Sequence, residues 1–288
     1  MARIMLSAFA DEIAPELDRQ TDGLKKLGIN MIELRGVDGK SFTALSDEEV
    51  LDAAEKLRKA KITVSSLGSP IGKMAPDGDF EEHMALFARV MDIGELLGDV
   101  YPVHRIRFFS FYKAPGQTDA SFESETFRRI ERILKEAERR GFIMCHENEK
   151  DIYGDSVEHV FRLAEHFGGR LRLALDNGNF AFCHMESADA WERLGKYVEY
   201  LHIKDADSDG VIVPAGCGTA HIGELIESVK HDGRKEMILT VEPHLCDFCG
   251  LASLARDGAL EHKYSFDSPF EAFSFATEEI RKMINTHI

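Results

Sequence analysis

Eight short apolar runs recur along the chain, and each is followed by a longer stretch in which apolar residues return every three or four positions. The runs occupy residues 3–9, 30–35, 62–67, 106–111, 143–147, 171–176, 198–202 and 237–242 and read as strands. The intervening stretches read as amphipathic helices with start and stop signals. The first covers 17–27 and stops at Gly28. The second opens at Ser46, where Glu49 completes a capping box, and runs through Val50, Ala53, Ala54 and Leu57. The third covers 80–97, behind a Gly- and Pro-rich segment at 68–78. The fourth covers 123–140, is densely charged along one face and stops at Gly141. A fifth starts near Asp155 and ends at Gly168 and Gly169; a short one follows near 187–194. The next, at 222–230, stands behind the glycine-rich loop 214–218. The last opens on Ser268 as N-cap, with Pro269 at the first helical position and Glu271 at the third.

Strict strand–helix alternation implies a parallel sheet, and eight units in a chain of 288 residues match a (β/α)8 TIM barrel, here one domain over 1–288. The rival is an open doubly wound sheet. It expects a glycine-rich dinucleotide fingerprint after strand one, where the chain instead reads Ser7, Ala8, Phe9, Ala10, Asp11.

Composition narrows the functional classes. Hydrophobic residues make up 44%, enough for a substantial core, and the net charge of −16 repels a phosphate backbone, so nucleic acid is not an expected partner. No apolar run approaches the length of a membrane span, and the N-terminus enters a strand without the apolar stretch of an export signal. Five cysteines, an odd number, read as reduced thiols in a cytoplasmic protein, and the lone Cys246/Cys249 pair reads as free thiols rather than a zinc site. The long segment 243–267 reads as a lid or as a contact in a homo-oligomer.

The chemistry lies at the strand ends. Strands five to eight finish on Glu147, Asp176, His202 and Glu242. Each alone could be a cap or a structural residue. In a closed parallel barrel, though, the four ends converge on one mouth, the face on which barrel active sites lie. Three buried carboxylates together cost several kcal/mol unless a cation neutralises them. Three oxygens and one imidazole nitrogen suit one divalent ion, with Mn²⁺ first, then Mg²⁺, Co²⁺ or Zn²⁺. Four further residues are candidates for binding substrate: Glu33 and Arg35 on one face of strand two, Asn179 after strand six, and Lys204 two residues beyond His202. Arg107 lies within an apolar strand and needs a partner; His146 should point to the opposite side of its strand from Glu147.

The runs Cys145-His146-Glu147-Asn148-Glu149-Lys150, Asp176-Asn177-Gly178-Asn179-Phe180, His202-Ile203-Lys204-Asp205 and Val241-Glu242-Pro243-His244, in that order, resemble the sugar phosphate isomerase/epimerase family of xylose isomerase-like TIM barrels, and distantly endonuclease IV. The resemblance implies that Glu147, Asp176, His202 and Glu242 hold the metal. It also implies that Glu147 and Glu242 act as acid and base on opposite faces of a small carbohydrate, isomerising or epimerising it through an enediolate. The alternative on the same site is a dehydratase similar to those acting on inosose or dehydroshikimate. A third reading is a non-catalytic sugar- or metal-binding barrel. Sugar epimerases similar to tagatose epimerase carry a histidine where Asn179 stands and an arginine where Ser208 stands. The extra histidines of endonuclease IV are replaced by residues such as Gly68, Ser69 and Ser110.

Overall fold

The computed structural model describes residues 1–248 and 263–286. Eight parallel strands form a barrel: β1 (Arg3–Ala8), β2 (Met31–Leu34), β3 (Thr63–Gly68), β4 (Arg105–Phe108), β5 (Ile143–Glu147), β6 (Leu171–Asp176), β7 (Val198–Ile203) and β8 (Glu236–Val241). Ladders join β1 to β8 and then run in order from β8 back to β2. The eight strand–helix units predicted from the apolar periodicity are therefore present, in barrel order.

The ring is nearly closed. β1 and β2 lie side by side, but no ladder joins them. The seam is bridged from inside: Ser7 of β1 hydrogen-bonds the Ser65 hydroxyl of β3 at 2.6 Å, and Ser65 donates to the Ile32 carbonyl of β2 at 3.1 Å. β2 pairs with β3 through a register shift between Ile32 and Glu33, which re-aims the side chain at that point.

Helices α1 (Leu17–Lys26), α2 (Asp47–Ala60), α3 (Phe80–Leu97), α4 (Asp119–Arg140) and α5 (Val157–Phe167) pack outside the ring. α2 carries the capping box read from the sequence: Ser46 Oγ accepts from Glu49 N at 3.2 Å and Glu49 Oε2 accepts from Ser46 N at 2.8 Å. α4 starts four residues earlier than predicted, because Thr118 caps it by accepting from Ser121 N at 3.3 Å. Its Phe122, Thr126, Ile130, Ile133 and Ala137 are buried at helical spacing, while Glu125, Arg128, Glu136 and Arg139 pair along the outer face.

α6 (Asn177–Phe182) is a helix that the periodicity did not predict, too short to show a period. α7 (Ala190–Leu194), α8 (Ile222–His231) and α9 (Pro269–Asn285) complete the set, the last capped by Ser268 as expected. Two hairpins of two residues per strand, Gly36–Val37 with Lys40–Ser41 and Asp205–Ala206 with Ile212–Val213, were likewise invisible to a period-two search. No helix among the described residues is long and apolar enough to cross a membrane. Cys145, Cys183, Cys217 and Cys246 are free. Cys249 lies outside the described residues, as does most of the segment 243–267 read as a lid.

Candidate metal centre and adjoining cavity

β5 and β6 end on Glu147 and Asp176, β7 carries His202 one residue before its end, and Glu242 directly follows β8. All four are buried, and one potential ligand atom from each lies within 4.8 Å of the others. The four residues selected from the sequence are thus brought together.

His202 stands at the centre. Its Nδ1 lies 3.1 Å from Glu147 Oε1 and 3.4 Å from Glu242 Oε2. Its Nε2 lies 3.0 Å from Glu33 Oε2. Glu33 is 1% exposed and also accepts from Tyr200 Oη at 2.8 Å and from Thr240 Oγ1 at 3.0 Å. Carboxylates so placed can only accept, so in the metal-free protein Nε2 donates to Glu33 and Nδ1 to Glu147, and an ion held by Nδ1 would take the place of that second proton. The structure therefore puts Glu33 behind the imidazole, beneath the cluster, rather than along the adjoining cavity.

Each carboxylate has its own organiser. Asp176 uses Oδ1 to cap α6, accepting from Asn179 N at 3.1 Å, which leaves Oδ2 pointing at the cluster. Asn148 clamps the β5 and β6 ends together, donating to Asp176 O at 2.7 Å and accepting from Asp176 N at 2.9 Å. Asn179 Nδ2 donates to Glu147 Oε1 at 3.2 Å and to Asn148 O at 2.7 Å. Arg107 Nη1 donates to Glu147 Oε2 at 2.8 Å. Arg35 reaches Glu242 Oε1 at 2.9 Å and spends its remaining nitrogens on Asp11 and Glu12. Lys204 Nζ lies 3.0 Å from Asp176 Oδ2 and 3.4 Å from Glu242 Oε2. Its bulk is admitted by Gly178, where a Cβ would meet Lys204 Cγ at 2.5 Å.

Burial works against every charge here, and the neighbours decide the outcome. Burial pushes Glu147 up, but His202 and Arg107 outweigh it and hold the group at about 2. Burial likewise opposes Glu242, which Lys204, His244 and His202 keep well below the usual range. Asp176 is the exception: burial lifts it to about 6, and Lys204 only partly offsets this. Burial would make His202 neutral, yet Glu33 and Glu147 hold its pKa well above 6.5.

The site fits a divalent ion. Asp176 Oδ2 is buried and accepts no hydrogen bond, since Lys204, though close, is out of line. Hard oxygen donors with one imidazole suit Mg²⁺ or Mn²⁺. A second set, Glu12, Glu242 and His244, also lies within 4.8 Å, but there Arg35 already supplies the cation to both carboxylates. Asp11 and Glu12 lie three and four residues beyond β1, in a short 3-10 turn at Ala10–Glu12, so a rule that reads only the last residue of each strand passes over them. Arg107 shows its partner only in three dimensions.

Beside the cluster, on the β1–β4 side of the mouth, opens a cavity of about 430 Å³. None of the four clustered residues lines it; Arg35 and Arg107 form the boundary between the two.

Residues 22–259 match the family model described as xylose isomerase-like TIM barrel. No curated protein sequence matches significantly. Several solved structures share the fold. The probable 3-DHS dehydratase AsbF involved in petrobactin synthesis, from Bacillus anthracis, has a TM-score of 0.72 at 14% identity, with 100% of each chain covered. D-psicose 3-epimerase with D-tagatose, from Clostridium cellulolyticum H10, has 0.70 at 16%, covering 98% of this chain and 100% of that one. A xylose isomerase-like TIM barrel protein in complex with magnesium, from Mycobacterium smegmatis, has 0.67 at 15%, covering 99% and 97%.

Proposed function

The chain belongs to the xylose isomerase-like TIM barrel family, and from that premise we propose that it is a divalent-metal-dependent isomerase or epimerase of a small sugar or polyol-derived ketone. The observation that carries the reading is the convergence of Glu147, Asp176, His202 and Glu242 within 4.8 Å, with each glutamate steered by its own guanidinium. The magnesium complex of a structural neighbour supports the choice of a hard cation.

Those four side chains would hold the ion, which would supply Lewis-acid stabilisation of negative charge on substrate oxygens. Glu147 and Glu242 are both ionised at neutral pH, so either can begin as the base. Carboxylates held that low are weak bases, so the reaction depends on a carbon made acidic by its neighbouring carbonyl. One glutamate takes that proton. Return to the adjacent carbon gives isomerisation, and return by the other glutamate to the opposite face gives epimerisation. Lys204, between Asp176 and Glu242, donates to the developing oxyanion. Glu33 fixes the His202 tautomer, and Asn179 holds Glu147 in place.

A second reading is a dehydratase using the same base and expelling a β-hydroxyl. It is favoured by the AsbF likeness and by Asn179 standing where tagatose-type epimerases carry a histidine. Proton NMR in D₂O on metal-stripped protein, with and without Mg²⁺, tests both against a panel of ketoses, keto acids and inososes. Loss of the signal alpha to the carbonyl, only with metal, is the expected result. An unsaturated product selects the dehydratase. Tight ligand binding without exchange or product rules out both in favour of a binding protein.

A further inference from the structure

The lining of the cavity is charged against the sign of the whole molecule. In a chain of net charge −16 it presents Arg35, Lys40, Lys73 and Arg107 against the single carboxylate of Asp11. These four cations are not equally engaged. All the nitrogens of Arg35 are spent on Asp11, Glu12 and Glu242, and Lys40 pairs with Glu49 at the exposed rim. Arg107 is different. It is 5% exposed, commits Nη1 to Glu147, and keeps Nε buried with no hydrogen-bond partner. A guanidinium has five donors in a rigid fork; Nε is closed to solvent, so the donors left for a ligand are those of Nη2, beside the cavity-lining Gly68.

Lys73 is brought to the same place. Its ammonium lies 4.2 Å from the Phe109 ring centre, and the Arg107 guanidinium lies 4.5 Å from that same ring. One aromatic side chain thus gathers two cations at the cavity wall. Glu149, at 2.8 Å from Lys73 Nζ, takes one of its three donors. The loop carrying Lys73 is pinned: Phe109 N donates to Ile71 O at 2.7 Å, Gly72 N to His83 Nε2 at 2.8 Å, and Ser69 Oγ to Arg107 O at 2.5 Å. Gly68 clears the way, since a Cβ there would meet Arg107 Nη2 at 3.1 Å and Phe9 at 2.7 Å. The site is built and held in place, with donors left over.

We propose that this cavity is an oxyanion pocket, in which Arg107 and Lys73 grip a carboxylate or phosphate ester that the substrate carries away from its reacting carbon. The proposal rests on the enzymatic reading of the adjoining cluster and narrows its substrates to anionic ones: hydroxy-keto acids or phosphorylated sugars. A neutral polyol would leave the free Nη2 donors of Arg107 uncompensated. A carboxylate or a phosphate presents paired oxygens that accept from guanidinium N–H donors. Arg107 then holds both Glu147 and the remote anion, fixing the distance between the base and the far end of the substrate.

The test needs no turnover. Metal-stripped full-length protein is titrated calorimetrically with inorganic phosphate, with malonate and with the neutral control erythritol, and the anion titrations are repeated with Arg107→Gln and Lys73→Gln. Circular dichroism checks that each variant is folded. At least one anion should saturate with a Kd of about 1 mM or tighter. Lys73→Gln should weaken that binding roughly tenfold and Arg107→Gln should abolish it. Added salt should weaken it and leave erythritol unaffected. Tighter binding of phosphate points to a phosphate ester, and tighter binding of malonate to a carboxylate. No saturation by either anion, or binding unchanged in Lys73→Gln, overturns the proposal; the second criterion holds even if Arg107→Gln fails to fold. The two readings fail separately. Anion binding with no solvent exchange on any ketone removes the enzyme and leaves the pocket, while exchange on uncharged ketoses without anion binding does the reverse.

Discussion

The mouth of the barrel has two unlike halves. On the β5–β8 side, four strand ends supply three carboxylates and an imidazole within 4.8 Å. On the β1–β4 side, Arg35 and Arg107 reach across to those carboxylates while bordering an open cavity. One half is built to attract a cation and the other to balance it and face the substrate. The contrast shows how an acidic protein can keep three ionisable acids so close: two of the carboxylates are met by guanidinium groups that reach in from the other half.

The comparison can be broken most decisively at Glu242. Glu242→Gln should lower turnover by roughly 10²- to 10⁴-fold with the fold retained, read as deuterium exchange by NMR with metal present; a near-normal rate would mean that the acidic half is not the catalytic one. Glu33→Gln tests the support beneath that half. Replacing the carboxylate behind His202 by an amide, with one accepting oxygen where two are in use, should weaken metal affinity by roughly 10- to 100-fold, measured by chelator competition, and an unchanged affinity would leave Glu33 a merely structural residue.

The other half is sharpened by pH. Burial pulls His83 down to about 4 while its Nε2 accepts from Gly72 N. A base whose folded pKa lies below its unfolded 6.5 stabilises the native state above 6.5 and loses that contribution as pH falls toward 4. Protection factors for hydrogen exchange in the 68–73 loop, taken relative to the intrinsic rate at each pH, should therefore fall on acidification through that window, and His83→Phe should flatten the dependence. The smallest effect belongs to neither half. Ser46→Ala removes the α2 cap and should cost about 1 kcal/mol in denaturant unfolding, with metal affinity unmoved.

Much of this was legible in the sequence, for identifiable reasons. Each barrel strand is an apolar run, and its last polar residue marks the mouth, so the cluster and its strands could be read together. What was hidden depends on depth and pairing. Period two puts Glu33 and Arg35 on one face of their strand but does not say that Glu33 sits under His202, where Tyr200 and Thr240 also hold it. Asp176 reads as a ligand, whereas its second task of starting α6 shows only in the bond from Asn179 N. Lys73 lies in a Gly/Pro segment without periodicity, and nothing along the chain relates it to Arg107, 34 positions later in the numbering. The ring of Phe109 makes that link.

The missing ladder between β1 and β2 has a mechanical side. Seven junctions of the barrel are welded by backbone pairing, and the eighth is a slit. Arg35, just beyond β2, fastens to Asp11 and Glu12, just beyond β1, and so acts as a buckle at the top of that slit. The same guanidinium is tied to Glu242. Any strain that spreads the slit is therefore delivered directly to a carboxylate of the cluster, and the hoop is most compliant where it grips its own active edge.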